Sequence, residues 1–168
     1  MKRDIIKKMC IAALLMAVYT LMTSFVSIPT FITGIGNINL GDCVIAVACV
    51  ILGLTYAPAV GALGGFLADL LSGYGAYAPV TLVAKAVMAV IICLMIRKKQ
   101  TVLRYIAGIV LGGLAMVLCY FIYEWALYGI AVAATNSPFN LLQIAVNGIV
   151  ALAIYPLSHK FTVVKREN

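Results

Sequence analysis

Apolar residues run through this chain in long stretches, and proline, glycine and charge divide it into six segments at 5–28, 42–54, 58–71, 79–96, 103–131 and 139–155. A helix needs about 20 apolar residues to cross a bilayer. The pattern therefore predicts an all-α integral membrane protein, a bundle of six transmembrane helices forming one membrane domain over residues 1–168. Pro29 closes the first segment, because proline disfavours helix in the residue before it. Pro58 and Pro79 open the third and fourth, at the first helical turn where a missing N–H leaves no bond unmade. Ser137 and Pro138 read as the N-cap and first turn of the sixth. The second and third segments are short, so they tilt little, thin the bilayer or are partly shielded by neighbouring loops.

Composition strengthens this reading. The chain is 65% hydrophobic and only 10% charged, with a mean hydropathy of +1.13, too little polar surface for a domain that faces water. The first apolar run is expected to be a span rather than a cleaved leader, since no small-residue cleavage site leads into a polar domain. Eleven of the twelve Lys and Arg residues fall in three clusters at segment ends: Lys2, Arg3, Lys7 and Lys8; Arg97, Lys98, Lys99 and Arg104; Lys160, Lys165 and Arg166. Basic residues beside spans stay in the cytoplasm. Six spans bring all three clusters to one side, which places both termini in the cytoplasm of a multi-pass plasma-membrane protein. The same bias explains the formal charge of +7 without a nucleic-acid partner. The opposite connections, 29–40, 72–78 and 132–137, hold no Lys, Arg, Asp or Glu and are rich in Gly, Asn and Tyr, a composition suited to a lid or binding loop.

Charge inside the spans is sparse. Asp42, Asp69, Lys85 and Glu124 are the ionisable residues at or within them. A charge at a helix centre costs about 2.5 to 3.5 kcal/mol on insertion scales, so such residues face a cavity, a partner or a pathway. Lys85 lies six residues beyond Pro79, about 9 Å deep at 1.5 Å per residue, and all four share one depth on the side opposite the basic clusters. Neutral polar residues extend the set at helical spacing: Thr81 with Lys85; Tyr120, Glu124 and Tyr128; Gln143 with Asn147. A pocket with one cation, carboxylates, amides and phenols suits a small flat polar heterocycle. Plainer readings stand beside this one: Asp42 as the N-cap of its helix, Asp69 as a bundle-stabilising partner of Lys85, Lys85 snorkelling outward, Glu124 at the interface beside Trp125, and the tyrosines as an aromatic belt.

The remaining chemistry is quiet. Five cysteines are scattered without a C-x-x-C or a neighbouring His, so neither a metal site nor a disulfide framework is expected, and no cofactor is implied. His159 reads as a flanking residue beyond the last span. Small residues four apart, Ala13/Ala17, Gly61/Gly65 and Gly108/Gly112, let helices approach closely in lipid. For the two glycine pairs, packing within the chain is the expected use.

The stretch 38–88 resembles the substrate-binding S components of energy-coupling factor (ECF) vitamin transporters, in particular the riboflavin-type group. The resemblance rests on N-L-G-D at 39–42, L-A-D-L-L-S-G-Y at 67–74 and Y-A-P-V-T-x-x-x-K at 77–85. Length, six spans and the Ala13/Ala17 motif agree with it across most of the chain. It implies a non-enzymatic subunit that captures a vitamin or precursor outside the cell, topples in the membrane, and delivers it through a coupling membrane protein and two ATPase subunits. It also implies that Ala13 and Ala17 face the coupling protein, and it adds Asn39, Tyr74 and Tyr77 to the candidate substrate-binding set of Asp42, Asp69, Thr81, Lys85, Tyr120, Glu124, Gln143 and Asn147. Riboflavin, pyridoxine and hydroxymethylpyrimidine types all remain open as substrates. Three carboxylates against one lysine lean towards a basic ring nitrogen.

Two other classes stay in view. A self-sufficient small carrier or channel would use Asp69, Lys85 and Glu124 as a relay, although the two halves of the chain show no inverted repeat. A membrane-embedded enzyme is the weaker alternative, because the sequence has no Walker A loop, G-x-S-x-G or H-E-x-x-H and no histidine at membrane depth.

Overall fold

The computed structural model describes residues 2–29 and 37–163. Among these residues run six helices, α1 (Lys2–Phe25), α2 (Gly41–Leu52), α3 (Ala57–Leu71), α4 (Ala78–Ile96), α5 (Val102–Tyr128) and α6 (Ile130–Lys160). A short antiparallel hairpin, β1 (Ser27–Pro29) with β2 (Asn37–Asn39), joins α1 to α2 and pairs Ile28 with Ile38. The chain is thus an all-α membrane protein with a small extended element at one end. Helices α1, α4, α5 and α6 are each long and apolar enough to cross a bilayer. At 12 and 15 residues, α2 and α3 are about 18 and 22 Å long, short of the ~30 Å hydrocarbon core.

The helices form a ring in which α1 packs on α3, α3 on α4, α4 on α5, α5 on α6, α6 on α2 and α2 back on α1; α2 also touches α3 and α4. Every residue of α2 except Val47 is buried. A helix sheathed in protein need not match the bilayer thickness, and α2 is shielded by the helices α1, α3, α4 and α6 around it rather than by loops. Both glycine pairs are used inside the bundle. A Cβ on Gly112 would lie 2.8 Å from the Met88 carbonyl oxygen, and one on Gly61 would lie 2.9 Å from Ile45 and 3.2 Å from the Lys85 carbonyl oxygen. These absences of side chain let α5 and α3 close on α4 at backbone distance.

The helices sort polarity between the two ends of the ring. Arg3, Lys7 and Lys8 of α1, Arg97, Lys98 and Lys99 after α4, Arg104 of α5 and Lys160 of α6 occupy one end. There the last carbonyls of α2 are satisfied from outside the helix: Gln100 Nε2 donates to Val50 O at 3.3 Å and Val163 N to Ile51 O at 3.0 Å. His159 belongs to the last turn of α6 rather than a tail, with Nε2 2.9 Å from the Tyr155 hydroxyl.

Several boundaries differ from expectation. Helix α6 starts at Ile130, so 132–137 is helix and not a loop, and Pro138 lies inside it. Gly129, with φ 89°, makes the whole turn from α5, which ends at Tyr128 rather than at 131. Pro138 has no N–H to give the Ala134 carbonyl, and in the turn before it Ser137 Oγ donates to Ala133 O and Thr135 Oγ1 to Ala131 O, each at 2.8 Å. The first span ends at Phe25 because the chain turns into β1, and the second at Leu52 because Gly53 takes φ 67°. Of the expected binding loop at 29–40, residues 30–36 lie outside the described residues.

Candidate functional site

At the end remote from the basic residues, the C-terminal halves of α1, α3 and α5 meet the N-terminal halves of α2, α4 and α6. Helical spacing on α4 turns Thr81 and Lys85 to one inward face, and both are buried. The Lys85 ammonium donates to Asp42 Oδ1 at 2.6 Å and approaches Met116 Sδ at 2.9 Å. Gln143 Nε2 donates to the other Asp42 oxygen, also at 2.6 Å. Asp42 occupies the first turn of α2 behind the Leu40 cap and is 1% exposed, so it is a buried ion-pair member and not a solvated N-cap. Burying an ion pair costs desolvation, which only complete hydrogen bonding offsets. Both carboxylate oxygens are occupied here.

The α6 amides continue inward from this pair. Gln143 Oε1 accepts from Asn39 N at 3.3 Å. Asn147 donates to Asn39 O at 2.7 Å and accepts from Cys43 N at 2.9 Å. Asn39 Oδ1 in turn accepts from Gly41 N at 3.1 Å. These bonds fasten the junction of β2 and α2 to α6.

A second group forms around α5. Glu124 is buried, and its Oε1 accepts from the Tyr77 hydroxyl at 3.1 Å and from Asn136 Nδ2 at 3.0 Å. Burial, and then the Glu124 carboxylate, hold the Tyr77 phenol above its usual pKa, which keeps it a donor. The Tyr77 ring packs against Tyr120, Tyr123 and Tyr128 with centroids 6.3, 5.6 and 6.4 Å away. The Tyr123 hydroxyl donates to Ala76 O, tying the connection before α4 to α5. Thr81 and Tyr120 share a hydrogen bond of 2.9 Å, and Lys85 Nζ lies 5.7 Å from the centre of the Tyr120 ring. Asp69, at the end of α3, is buried beside Thr81.

Between the two groups lies a cavity of about 40 Å3, room for a few waters. A ring enters only when side chains swing aside. Of the residues singled out from sequence, Asn39, Asp69, Tyr74, Tyr77, Thr81, Lys85, Tyr120, Glu124 and Gln143 line it; Asp42 and Asn147 stand behind them. Tyr19, Thr23 and Asn140 line it as well and were missed. Gly65 makes room for this wall, since a Cβ there would lie 2.7 Å from Thr81 Cγ2. Among the described residues no cluster of three or more His, Cys, Asp or Glu side chains is placed to hold a metal.

On the outside of the ring, Ala13 and Ala17 are exposed on α1. With Met9, Met16 and Leu21 of the same helix, and with Tyr56 and Leu67, they line an apolar groove of about 570 Å3.

The family model for the S component of the ECF-type riboflavin transporter matches residues 4–160, almost the whole chain. The chain belongs to this family. A protein of Pyrococcus woesei, described as an uncharacterized protein in the gap 3' region, is 34% identical over 131 residues, covering 78% of this chain and 86% of that protein. The family is one of transporter subunits and not an enzyme class, so the polar cavity is the place to look for a transported ligand rather than for catalysis.

The missed residues had a signal in the sequence. Tyr19 and Thr23 are i,i+4 on the last turns of α1, at the depth of Glu124. Asn136 and Asn140 extend the Gln143/Asn147 face by two turns; Asn136 was hidden by reading Ser137-Pro138 as a helix start, whereas Asn140 lay within the expected span.

Proposed function

We propose that this protein captures a small water-soluble vitamin or vitamin precursor, of riboflavin, pyridoxine or hydroxymethylpyrimidine type, outside the cell and passes it to an ATP-driven module. Family membership supports the subunit's role. The observation that carries the ligand reading is the cavity itself: tyrosine faces, two carboxylates, amides and hydroxyls converge at the end of the bundle away from the basic residues. Aromatic walls with a few fixed polar groups are the usual design for orienting a flat heterocycle. By the positive-inside bias, the basic end and both termini lie in the cytoplasm of the plasma membrane, and the cavity faces out.

The partners in this reading are a coupling membrane protein and two ATPase subunits. The groove containing Ala13 and Ala17 is the docking face, since small exposed residues four apart admit a second helix at close range. Replacing both alanines by Trp tests the assignment in cells that hold the complete transporter. ATP-dependent uptake of labelled vitamin should fall to background while binding by the purified variant stays within two-fold. Uptake that persists, or uptake that never needed the ATPases, contradicts the reading and favours a self-sufficient carrier.

A further inference from the structure

The three buried carboxylates of the site are not equivalent. Asp42 has both oxygens occupied and its charge matched by Lys85. Asp69 and Glu124 are 8% and 2% exposed, and each keeps one oxygen, Asp69 Oδ2 and Glu124 Oε2, with no hydrogen-bond partner among the described residues. Both residues line the same cavity. An unmet buried acceptor is costly, and more so when it carries charge.

The donors around the cavity are largely spent within the protein. Lys85 donates to Asp42 and Met116, Gln143 to Asp42, and Tyr77 to Glu124, while Thr81 and Tyr120 share one bond. The Tyr19 and Thr23 hydroxyls, neutral groups that can donate or accept, have no partner among the described residues. The open capacity that carries charge is acceptor capacity of negative sign. The walls have the same preference, because the face of a tyrosine ring is the negative part of its quadrupole and attracts cations; Tyr77 and Tyr120 stand beside the two acids.

We infer that the substrate is a flat heterocycle bound as a cation, with a protonated ring nitrogen or amino donors answering Asp69 Oδ2 and Glu124 Oε2 and its ring against the tyrosines, and that neutral flavins and phosphorylated vitamins are disfavoured. A protonated ring nitrogen facing a carboxylate is met in charge as well as in hydrogen bonding. An isoalloxazine edge offers a single N–H between two carbonyl oxygens, and those oxygens would face acceptors. The inference rests on the S-component reading and narrows its substrate class.

Calorimetry on the full-length protein in detergent decides it, with four probes: 4-amino-5-hydroxymethyl-2-methylpyrimidine and pyridoxine as protonatable rings, riboflavin as the neutral ring, and pyridoxal 5'-phosphate as the anionic relative. One protonatable probe should bind at least ten-fold more tightly than riboflavin, with no measurable binding of the phosphate ester. Asp69→Asn and Glu124→Gln should each weaken that probe about ten- to a hundred-fold, the range for losing a hydrogen bond to a charged group. Asp69→Asn carries the test if Glu124→Gln, which also touches Asn136, fails to fold. Riboflavin as the tightest ligand, both variants within two-fold of wild type, or no binding of any probe overturns the inference. Tight riboflavin binding with ATPase-dependent uptake leaves the S-component reading intact, whereas uptake unaffected by deleting the protein removes both.

Discussion

The two halves of the polar site use the same residue types to opposite ends. On the α2 side, Asp42, Lys85, Gln143 and Asn147 close a circuit in which each carboxylate oxygen and each amide has a partner inside the protein. On the α5 side, Glu124 and Asp69 stop one hydrogen bond short, with aromatic rings around them. A closed circuit holds helices together, and an open one is available to a ligand. Burial alone does not separate them, since Asp42 and Glu124 are equally hidden from solvent.

The comparison is broken most forcefully at Lys85. If the α2 side is structural, Lys85→Met leaves the Asp42 carboxylate buried and uncompensated, at a cost of about 3 to 5 kcal/mol. Unfolding in detergent should show this loss, and adding Asp42→Asn should recover most of it because the orphaned charge is gone. A single variant as stable as wild type would move Lys85 to the ligand-binding half.

A smaller effect sharpens the contrast by sparing both circuits. Gly112→Val puts side-chain atoms where the Met88 carbonyl oxygen stands, 2.8 Å from the new Cβ. Backbone cannot swing aside, so overpacking should cost about 1 to 3 kcal/mol, read from the same melts. Ligand affinity measured on the folded fraction should change little, because the clash lies below the cavity. A large affinity loss at unchanged stability would mean that α4 and α5 move as part of binding.

Much of this division could be anticipated from residues, and its limits have physical causes. The spans were legible because apolar runs and first-turn prolines act locally: Pro58 and Pro79 do sit in the first turns of α3 and α4. The inward faces were legible because i,i+4 spacing fixes direction on a helix, as Thr81 and Lys85 illustrate. The start of α6 was not, since whether a proline begins or interrupts a helix depends on how the chain before it packs, and here Gly129 makes the turn while Ala133 and Asn136 are buried ahead of Pro138. Nor was the choice of partner for Lys85. Asp42, Asp69 and Glu124 share a depth in the sequence, and only the packing of α2 against α4 and α6 decides which acid receives the ammonium. Ala13/Ala17 and Gly108/Gly112 have the same spacing, yet one pair is exposed and the other buried; the motif records a capacity for close approach and not the identity of what approaches.

The most direct test of the central claim, that this cavity is the substrate site, is mass spectrometry of the small molecule released from protein purified without added ligand. Asn140 lines the cavity while remaining half-buried and belongs to neither circuit, so Asn140→Trp obstructs the space while keeping every residue of both circuits. Wild type should release one heterocycle at near one equivalent, and the variant, melting at the same temperature, should release less than a tenth as much. Full retention of the molecule by Asn140→Trp would contradict the assignment.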